Sequence, residues 1–554
     1  MIFENLLRCY RKLGNDTIDD QIEVSLQGWN CQNSPPSTRI PLGSVAAGLL
    51  NFKSRWGEAS EILETAVSLL PSVSPRALKS SDQQNVLRKF PGLASLAAAT
   101  ALNAGKSPAD ALNLLESGRG VMAALLFETR AEIADLTSSH AGLANQFISL
   151  RNELDTPSGA TSLSSVDKDI PMEMHAKQRR DLDAQFNTVI REIRSKPGFE
   201  TFLIRPKAES LLAAASSGPI VILNANSRRC DAFIIDTHSI QLLPLPQFEV
   251  SESLENLWDV MACPVLDKLG FLEPPRDGDL PHVWWILTGS LSRLPIHAAG
   301  YHQEGSFDTV MDRVISSYST SVKALMQSRQ KSARITRGNV SHKACLVSMG
   351  TTPSNGQEEV QILASLLSPS IPTTLLDKPE KEEVLHQIET CTTFHFAGHG
   401  ITNPLDPSKS CLLLNDWVSD PLSFESLTSL NLFERPAWLA YLSACSTGEN
   451  QAERLQDESI HLMSACQLAG FPHVVGSLWK IDDKCSAEAA AEVYRTIQER
   501  GWTDESVALG VHNAARLLRS KTREEGQDRG RGLDYAVRDE GNPSIWAAYI
   551  HVGP

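Results

Sequence analysis

The chain has 554 residues, of which 42% are hydrophobic and 21% charged, the balance of an ordinary globular protein rather than a disordered one. That length exceeds what one core usually accommodates, so roughly two or three domains are expected. A net charge of −15 argues against a dedicated nucleic-acid binder, because phosphate contacts need a surplus of Lys and Arg on one face.

Met1 to Gly14 carries Glu4, Arg8, Arg11 and Lys12 among its apolar residues, so it does not read as a secretory signal. No run approaches the length of a membrane span. The ten cysteines are scattered without a C-x-x-C pair, which suggests neither a zinc site nor a disulfide framework and points to a reduced, cytoplasmic setting. No phosphate-binding G-x-x-x-x-G-K-[ST] loop and no H-E-x-x-H zinc helix occurs. A mechanism without metal or cofactor is therefore expected.

Residues 1–155 read as helical. Arg55-Trp56-Gly57-Glu58-Ala59 opens a run in which Ile62, Leu63, Ala66, Leu69 and Leu70 recur at helical spacing, and Ser107-Pro108 opens another with Ala111, Leu112, Leu114 and Leu115. Asp19-Asp20-Gln21-Ile22 precedes the first of these at a distance near the period of helical-hairpin repeats. Small residues such as Ala59, Ala66, Ala98 and Ala101 carry most of the pattern, and a plain helical bundle is the alternative. Thr156 to Ser165 has linker composition, and a charged helix is expected over about Glu173–Arg194, so 156–199 reads as a connection. From about residue 200 the period changes. Pro219–Asn224, Cys230–Asp236 and Val283–Gly289 read as strands, and the basic stretch Ser328–Ser341 as an exposed connection that closes a segment of 200–340.

Over 341–554 strand and helix signals alternate. Strands are expected at Ala344–Met349, Thr392–Ala397, Trp438–Ala444, Val474–Trp479 and Ile545–Val552. Helices are expected at Glu358–Leu367, Lys381–Thr390, Glu458–Ala469, Ala487–Arg500 and Ser506–Arg519. Strands separated by helices of this length predict a parallel sheet, with functional groups just beyond the carboxyl ends of its strands.

Two such ends carry chemistry. Phe394-His395-Phe396-Ala397-Gly398-His399-Gly400 runs an apolar strand into a turn that presents His399 between glycines. Leu442-Ser443-Ala444-Cys445-Ser446-Thr447-Gly448 does the same with Cys445. An unperturbed thiol has a pKa of about 8.5, so a neighbouring imidazole is needed to make the thiolate near neutrality. Cys445 is thus the candidate nucleophile and His399 its base, with the backbone N–H groups of Gly400 and Cys445 as candidate oxyanion donors. His395 alternates to the face opposite Phe394 and Phe396 and is the weaker base candidate. Cys391, Cys411, Cys466 and Cys485 read as structural.

These motifs, with Val475-Gly-Ser-Leu-Trp479 and Asp482-Asp483 further on, resemble the CHAT domain, and Gly289-Ser-Leu-Ser-Arg-Leu-Pro-Ile-His-Ala-Ala-Gly300 resembles its upstream segment. That family is a caspase-like peptidase domain commonly attached to tetratricopeptide repeats and related to separases and caspases. The resemblance covers residues 200–554 and implies an α/β caspase-like parallel-sheet domain with a preceding non-catalytic half, behind an all-α helical-repeat region. It implies a cysteine endopeptidase acting on a protein substrate, with His399 and Cys445 as the catalytic pair and the repeats as a docking platform for an activating protein. His297 falls in the non-catalytic half, where it holds a loop by hydrogen bonds. A catalytically silent scaffold or adaptor on the same fold is the alternative.

The resemblance also bears on specificity. Separases carry an acidic residue directly after the tryptophan and favour a basic side chain before the cut bond, whereas this sequence has Lys480 there. Lys480 is therefore expected at the rim of a pocket not strictly selective for Arg, with Asp482 or Asp483 either supplying an acid or capping the next helix.

Overall fold

The computed structural model describes residues 17–73, 80–122, 136–155, 172–200, 202, 208–246, 253–275, 279–349, 356–449, 452–530 and 543–554, apart from isolated positions within these ranges. They fall into two compact units, one of residues 1–208 with 454–458, the other of residues 209–453 with 459–554. Among the described residues no helix is long and apolar enough to cross a membrane.

The first unit is helical: α1 (Ile18–Asn30), α2 (Pro36–Phe52), α3 (Trp56–Val73), α4 (Leu93–Asn103), α5 (Pro108–Gly118), α6 (Ala141–Asp155) and α7 (Met172–Arg194). Helix α5 starts where the sequence sets it, because the Ser107 side chain accepts from the Asp110 N–H and Pro108 takes a first-turn position that needs no donor. From α1 to α5 each of these helices packs on the next one named, the short helix Ser80–Leu87 falling between α3 and α4 along the chain. Ala94, Ala97, Ala98 and Ala101 on α4 are fully or almost fully buried, so the small residues of this region are there to let helices approach closely. A separate aromatic cluster of Phe147, Phe186 and Phe202 joins α6 to α7. The expected linker from Thr156 to Ser165 lies outside the described residues.

The second unit is built on a sheet of 11 strands. In chain order the strands are β1 (Ile220–Asn226), β2 (Arg229–Ile235), β3 (Ile240–Leu245), β4 (His282–Leu287), β5 (Ile315–Tyr318), β6 (Ala344–Ser348), β7 (Thr373–Asp377), β8 (Thr393–Ala397), β9 (Gly400–Ile401), β10 (Cys411–Leu412), β11 (Leu422–Ser423), β12 (Leu439–Ser443), β13 (His473–Ser477) and β14 (Tyr549–Val552). The main sheet runs β3-β2-β1-β4-β5-β14-β13-β12-β8-β6-β7, and β11-β10-β9 form a small separate sheet. Its helices include α8 (Val322–Arg337), α9 (Gly356–Leu367), α10 (Lys381–Ile388), α11 (Leu462–Ala469), α12 (Asp483–Arg500) and α13 (Asp504–Gly530). Every residue of β6, β8, β12 and β13 is buried, which is why these strands read as unbroken apolar runs instead of alternating ones.

The sheet is mostly parallel, but its two parts run in opposite senses. Strand β14 is antiparallel to β13 and parallel to β5, which continues in parallel to β4 and β1. Strands β13, β12, β8, β6 and β7 are parallel among themselves. The carboxyl ends of β1 and β4 therefore lie on the opposite edge of the sheet from those of β8 and β12.

Three expectations need correction. The basic stretch from Ser328 is not an exposed connection but the body of α8, capped by Ser321 and burying Gln327, Ser328, Lys331, Ser332 and Ile335. Its charge is accommodated because the Lys331 ammonium donates to the carbonyls of Leu432, Phe433 and Arg435 at 2.5–2.6 Å. The helix expected from Glu458 begins only at Leu462. Ser459 takes a left-handed conformation (φ 47°), and a capping box between His461 and Ser464 sets the start. The run Ile545–Val552 is a helical turn (Pro543–Trp546) followed by β14, and β14 is antiparallel to β13 rather than a further parallel strand.

Candidate active site

Strands β8 and β12 pair in parallel from Thr393↔Leu439 to Ala397↔Ser443. His399 and Cys445 each follow two residues beyond the last pair, in the turns at the ends of these neighbouring strands. The coupling continues past the strands, because the Gly398 N–H donates to the Ser443 carbonyl at 3.1 Å. His399 is exposed and Cys445 half-buried, and among the described residues no hydrogen bond joins their side chains.

Gly400 approaches the cysteine turn closely: a Cβ there would lie 3.3 Å from the Cys445 carbonyl oxygen. Gly400 opposes Leu412 across β9 and β10, and the Leu413 N–H donates to the His399 carbonyl at 2.9 Å. That bond makes Gly400↔Leu412 a non-hydrogen-bonded pair, so the Gly400 N–H is not used by the ladder.

The turn after Cys445 is fastened to the end of β13. Ser446 has φ 56°, a strained value for a residue with a Cβ, and its N–H donates to the Trp479 carbonyl at 3.3 Å. The buried Thr447 side chain accepts from the Ser477 N–H at 3.0 Å, Gly448 N–H donates to the Ser477 carbonyl at 2.9 Å, and the Ser477 hydroxyl donates to the Ala444 carbonyl at 3.0 Å. The Met463 N–H, in the first turn of α11, donates to the Thr447 carbonyl at 3.1 Å. Thr447 and Ser477 are the positions that residue-by-residue reading missed. The signal was present in the short spacings Cys445-Ser-Thr-Gly448 and Gly476-Ser477, but their meeting depends on β12 and β13 being neighbours.

Lys480 is exposed and follows Trp479, whose carbonyl takes the Ser446 N–H and whose indole donates to the Ser544 carbonyl at 2.6 Å. Asp482 lies outside the described residues, and Asp483 opens α12, four residues earlier than the start expected near Ala487. His395 is fully buried beneath the site. His297 is on the opposite edge of the sheet, beyond the end of β4. Its Nδ1 lies 2.7 Å from the Tyr318 hydroxyl, its N–H donates to the same oxygen, and burial pulls its pKa down to about 3. Burial likewise pushes the Cys345 and Cys466 thiols up to about 12 and raises Cys391 and Cys411, which leaves them inert at neutral pH.

An α/β unit that delivers a histidine and a cysteine to adjacent strand ends of a mostly parallel sheet has the framework of a caspase-like peptidase domain. Residues 251–554, more than half of the chain, match the CHAT domain family, and the chain belongs to that family. Among solved structures it is similar to a chain of the Saccharomyces cerevisiae separase–securin complex, with a TM-score of 0.47 at 11% identity over 90% of this chain and 37% of that one. A second structure of that complex gives 0.45 at 12% identity over the same shares. Gingipain R, an Arg specific cysteine proteinase, gives 0.35 at 11% identity over 53% of this chain and 68% of that one. The chain thus spans little more than a third of the yeast chain it resembles. None of the curated proteins matches it in sequence.

Proposed function

We propose that the chain is a cytoplasmic cysteine endopeptidase that cuts a protein substrate with Cys445 as nucleophile and His399 as base. His399 takes the thiol proton, and the thiolate sulfur bonds to the peptide carbonyl carbon. The N–H groups of Gly400 and Cys445 donate hydrogen bonds to the carbonyl oxygen as negative charge develops on it. Collapse breaks the C–N bond as the imidazolium gives its proton to the leaving amine. Water, deprotonated by His399, then cleaves the thioester and restores the thiol. The observation that carries this reading is the parallel register of β8 and β12, which ends both strands two residues short of the pair. Base and nucleophile in such sites commonly come into hydrogen-bond contact only once substrate is bound.

In this reading Lys480 stands at the rim of the specificity pocket and repels Arg or Lys before the cut bond. The packed helices α1–α5 act as a tetratricopeptide-like platform for the substrate or an activating protein.

A thiol-reactive peptide electrophile tests the dyad on the full chain. Cys445 should label rapidly and with a pH dependence set by His399, and His399→Ala should slow labelling by about 10²-fold or more. The half-buried Cys31 serves as an internal reference. Labelling of Cys445 no faster than Cys31 would instead favour a silent scaffold. New amino termini that appear in cells with the wild-type chain, but not with Cys445→Ala, identify the substrate.

A further inference from the structure

Beneath the candidate pair lies a buried polar cluster that the chemistry above leaves unused. Glu359, on the first turn of α9, is 3% exposed, yet both its carboxylate oxygens are bonded. One lies 3.0 Å from Nε2 of His395 on β8, and the other accepts from the Ser443 hydroxyl on β12 at 3.0 Å. Nδ1 of His395 lies 3.2 Å from the Tyr494 hydroxyl on α12, and the ring stacks on Tyr441 of β12 at 4.8 Å. A carboxylate accepts only, so His395 donates to it from Nε2. All five side chains are buried, and each bond constrains the others.

The placement of this cluster bears on the site. His395 and Ser443 lie four and two residues before His399 and Cys445, and Ser443 is only about 7 Å along its strand from the cysteine. The carboxylate bridges the very two strands whose ends carry the pair. Helix α9 is itself pinned over the end of β8, since a Cβ at Gly356 would sit 3.3 Å from the Ala397 carbonyl oxygen. Attack geometry tolerates little error, and a displacement of about 1 Å costs roughly 100-fold in rate.

We propose that Glu359 is a positioning residue of the peptidase site, fixing the offset between the ends of β8 and β12 and so the approach of His399 to Cys445. The proposal rests on the peptidase reading for its consequence in rate, but its geometric content is independent of that reading.

The test uses the full chain with Glu359→Gln, which preserves shape but turns one of the two accepting groups into a donor. Ser443→Ala, which removes a single bond, covers the case in which Glu359→Gln folds poorly. Iodoacetamide labelling of Cys445 is followed from pH 5 to 9 by mass spectrometry, with amide hydrogen exchange read over residues 397–400 and 444–447. Glu359→Gln should slow Cys445 labelling about tenfold or more and move its profile toward that of a free thiol, near pH 8.5. Exchange should quicken at both turns, with Cys31 labelling unchanged. Ser443→Ala should do the same more weakly, and the double variant should be no worse than Glu359→Gln alone. If wild-type Cys445 labels no faster than Cys31, the peptidase reading fails, while exchange at the two turns still decides the positioning role. Unchanged exchange at both turns in either folded variant, or loosening spread evenly over the sheet, overturns the proposal.

Discussion

Gly476 illustrates how little freedom the cysteine turn has. A Cβ at this position would lie 2.4 Å from the Thr447 hydroxyl oxygen and 2.8 Å from the Met463 sulfur, both part of the packing around that turn. Gly476→Ala must therefore push Thr447 off the Ser477 N–H, and overpacking of this kind costs about 1–3 kcal/mol. The expected result is a lowered melting temperature together with about tenfold slower labelling of Cys445. A variant that melts lower but labels at the wild-type rate would show that the turn is not what positions the thiol. Read along the chain, Gly476 is simply a glycine in an apolar strand. Only the pairing of β12 with β13 explains why no side chain fits.

At the scale of one element, the segment Glu453–Glu458 is a short helical stretch whose last residues count with the helical unit. Asp457 accepts from the Gly92 N–H at 2.8 Å, its carbonyl accepts from the Gly120 N–H at 2.7 Å, and the Glu458 carboxylate accepts from the Met122 N–H at 2.9 Å. Burial raises Glu458 to about 7, helped by the neighbouring Asp457 and opposed by the Met122 and Val121 N–H groups and by Arg119. Asp457 is raised as well, again by burial first, against the pull of Arg119 and the Gly92 N–H. A folded pKa above the unfolded value means that the packed segment holds a proton the free segment gives up. Its packing is therefore strongest below about pH 4.5 and weakens as pH rises through 7, by about 3 kcal/mol for a shift of this size. Amide exchange and limited proteolysis over residues 452–459 should be slower at pH 5.5 than at pH 8.5. Glu458→Gln, which cannot ionise, should remove most of that difference.

At the scale of the molecule, four adjacent strands of the sheet are joined by one chain of hydrogen bonds. His282 Nε2 meets the Ser317 hydroxyl at 2.7 Å, that hydroxyl meets His551 Nδ1 at 2.6 Å, His551 Nε2 meets His473 Nδ1 at 3.0 Å, and His473 Nε2 meets Asp504 at 2.9 Å. The Asp504 carboxylate can only accept, so His473 donates to it from Nε2. Burial lowers His282 to about 3 and takes His551 well below the usual histidine range, with Arg329 and the neighbouring histidines adding to the effect. His297, His302, His461 and His512 are lowered to about 3 or 4, in each case first by burial. These groups stay neutral when folded and take up protons when unfolded, so stability is lost as pH falls below about 6.5. Each is worth about 2 kcal/mol at pH 5. The melting temperature of the sheet unit should fall steeply between pH 7 and 5, opposite in sense to the segment 454–458, and His282→Asn should flatten the slope. A midpoint constant over that range would contradict the assignment of neutral imidazoles.

The sequence by itself determined the class of the fold, the two strand-end turns with His399 and Cys445, and most of the buried strands of the catalytic part. Each of those signals is local: an apolar run too short for a helix, a glycine where a turn must be sharp, a polar residue at its end. What only the tertiary structure decided lies between elements. The short strands β5 and β7 and the small sheet around Gly400 had no period long enough to detect. Buried polar helices such as α8 read as surface because Lys331 finds its carbonyl partners about 100 residues away in sequence. The reversed sense of β14 puts His297 on the edge away from Cys445, which no spacing along the chain reveals. Glu359, Thr447 and Ser477 acquire their roles only when strands far apart in sequence become neighbours, because hydrogen-bond partners are set by the sheet order and not by the chain.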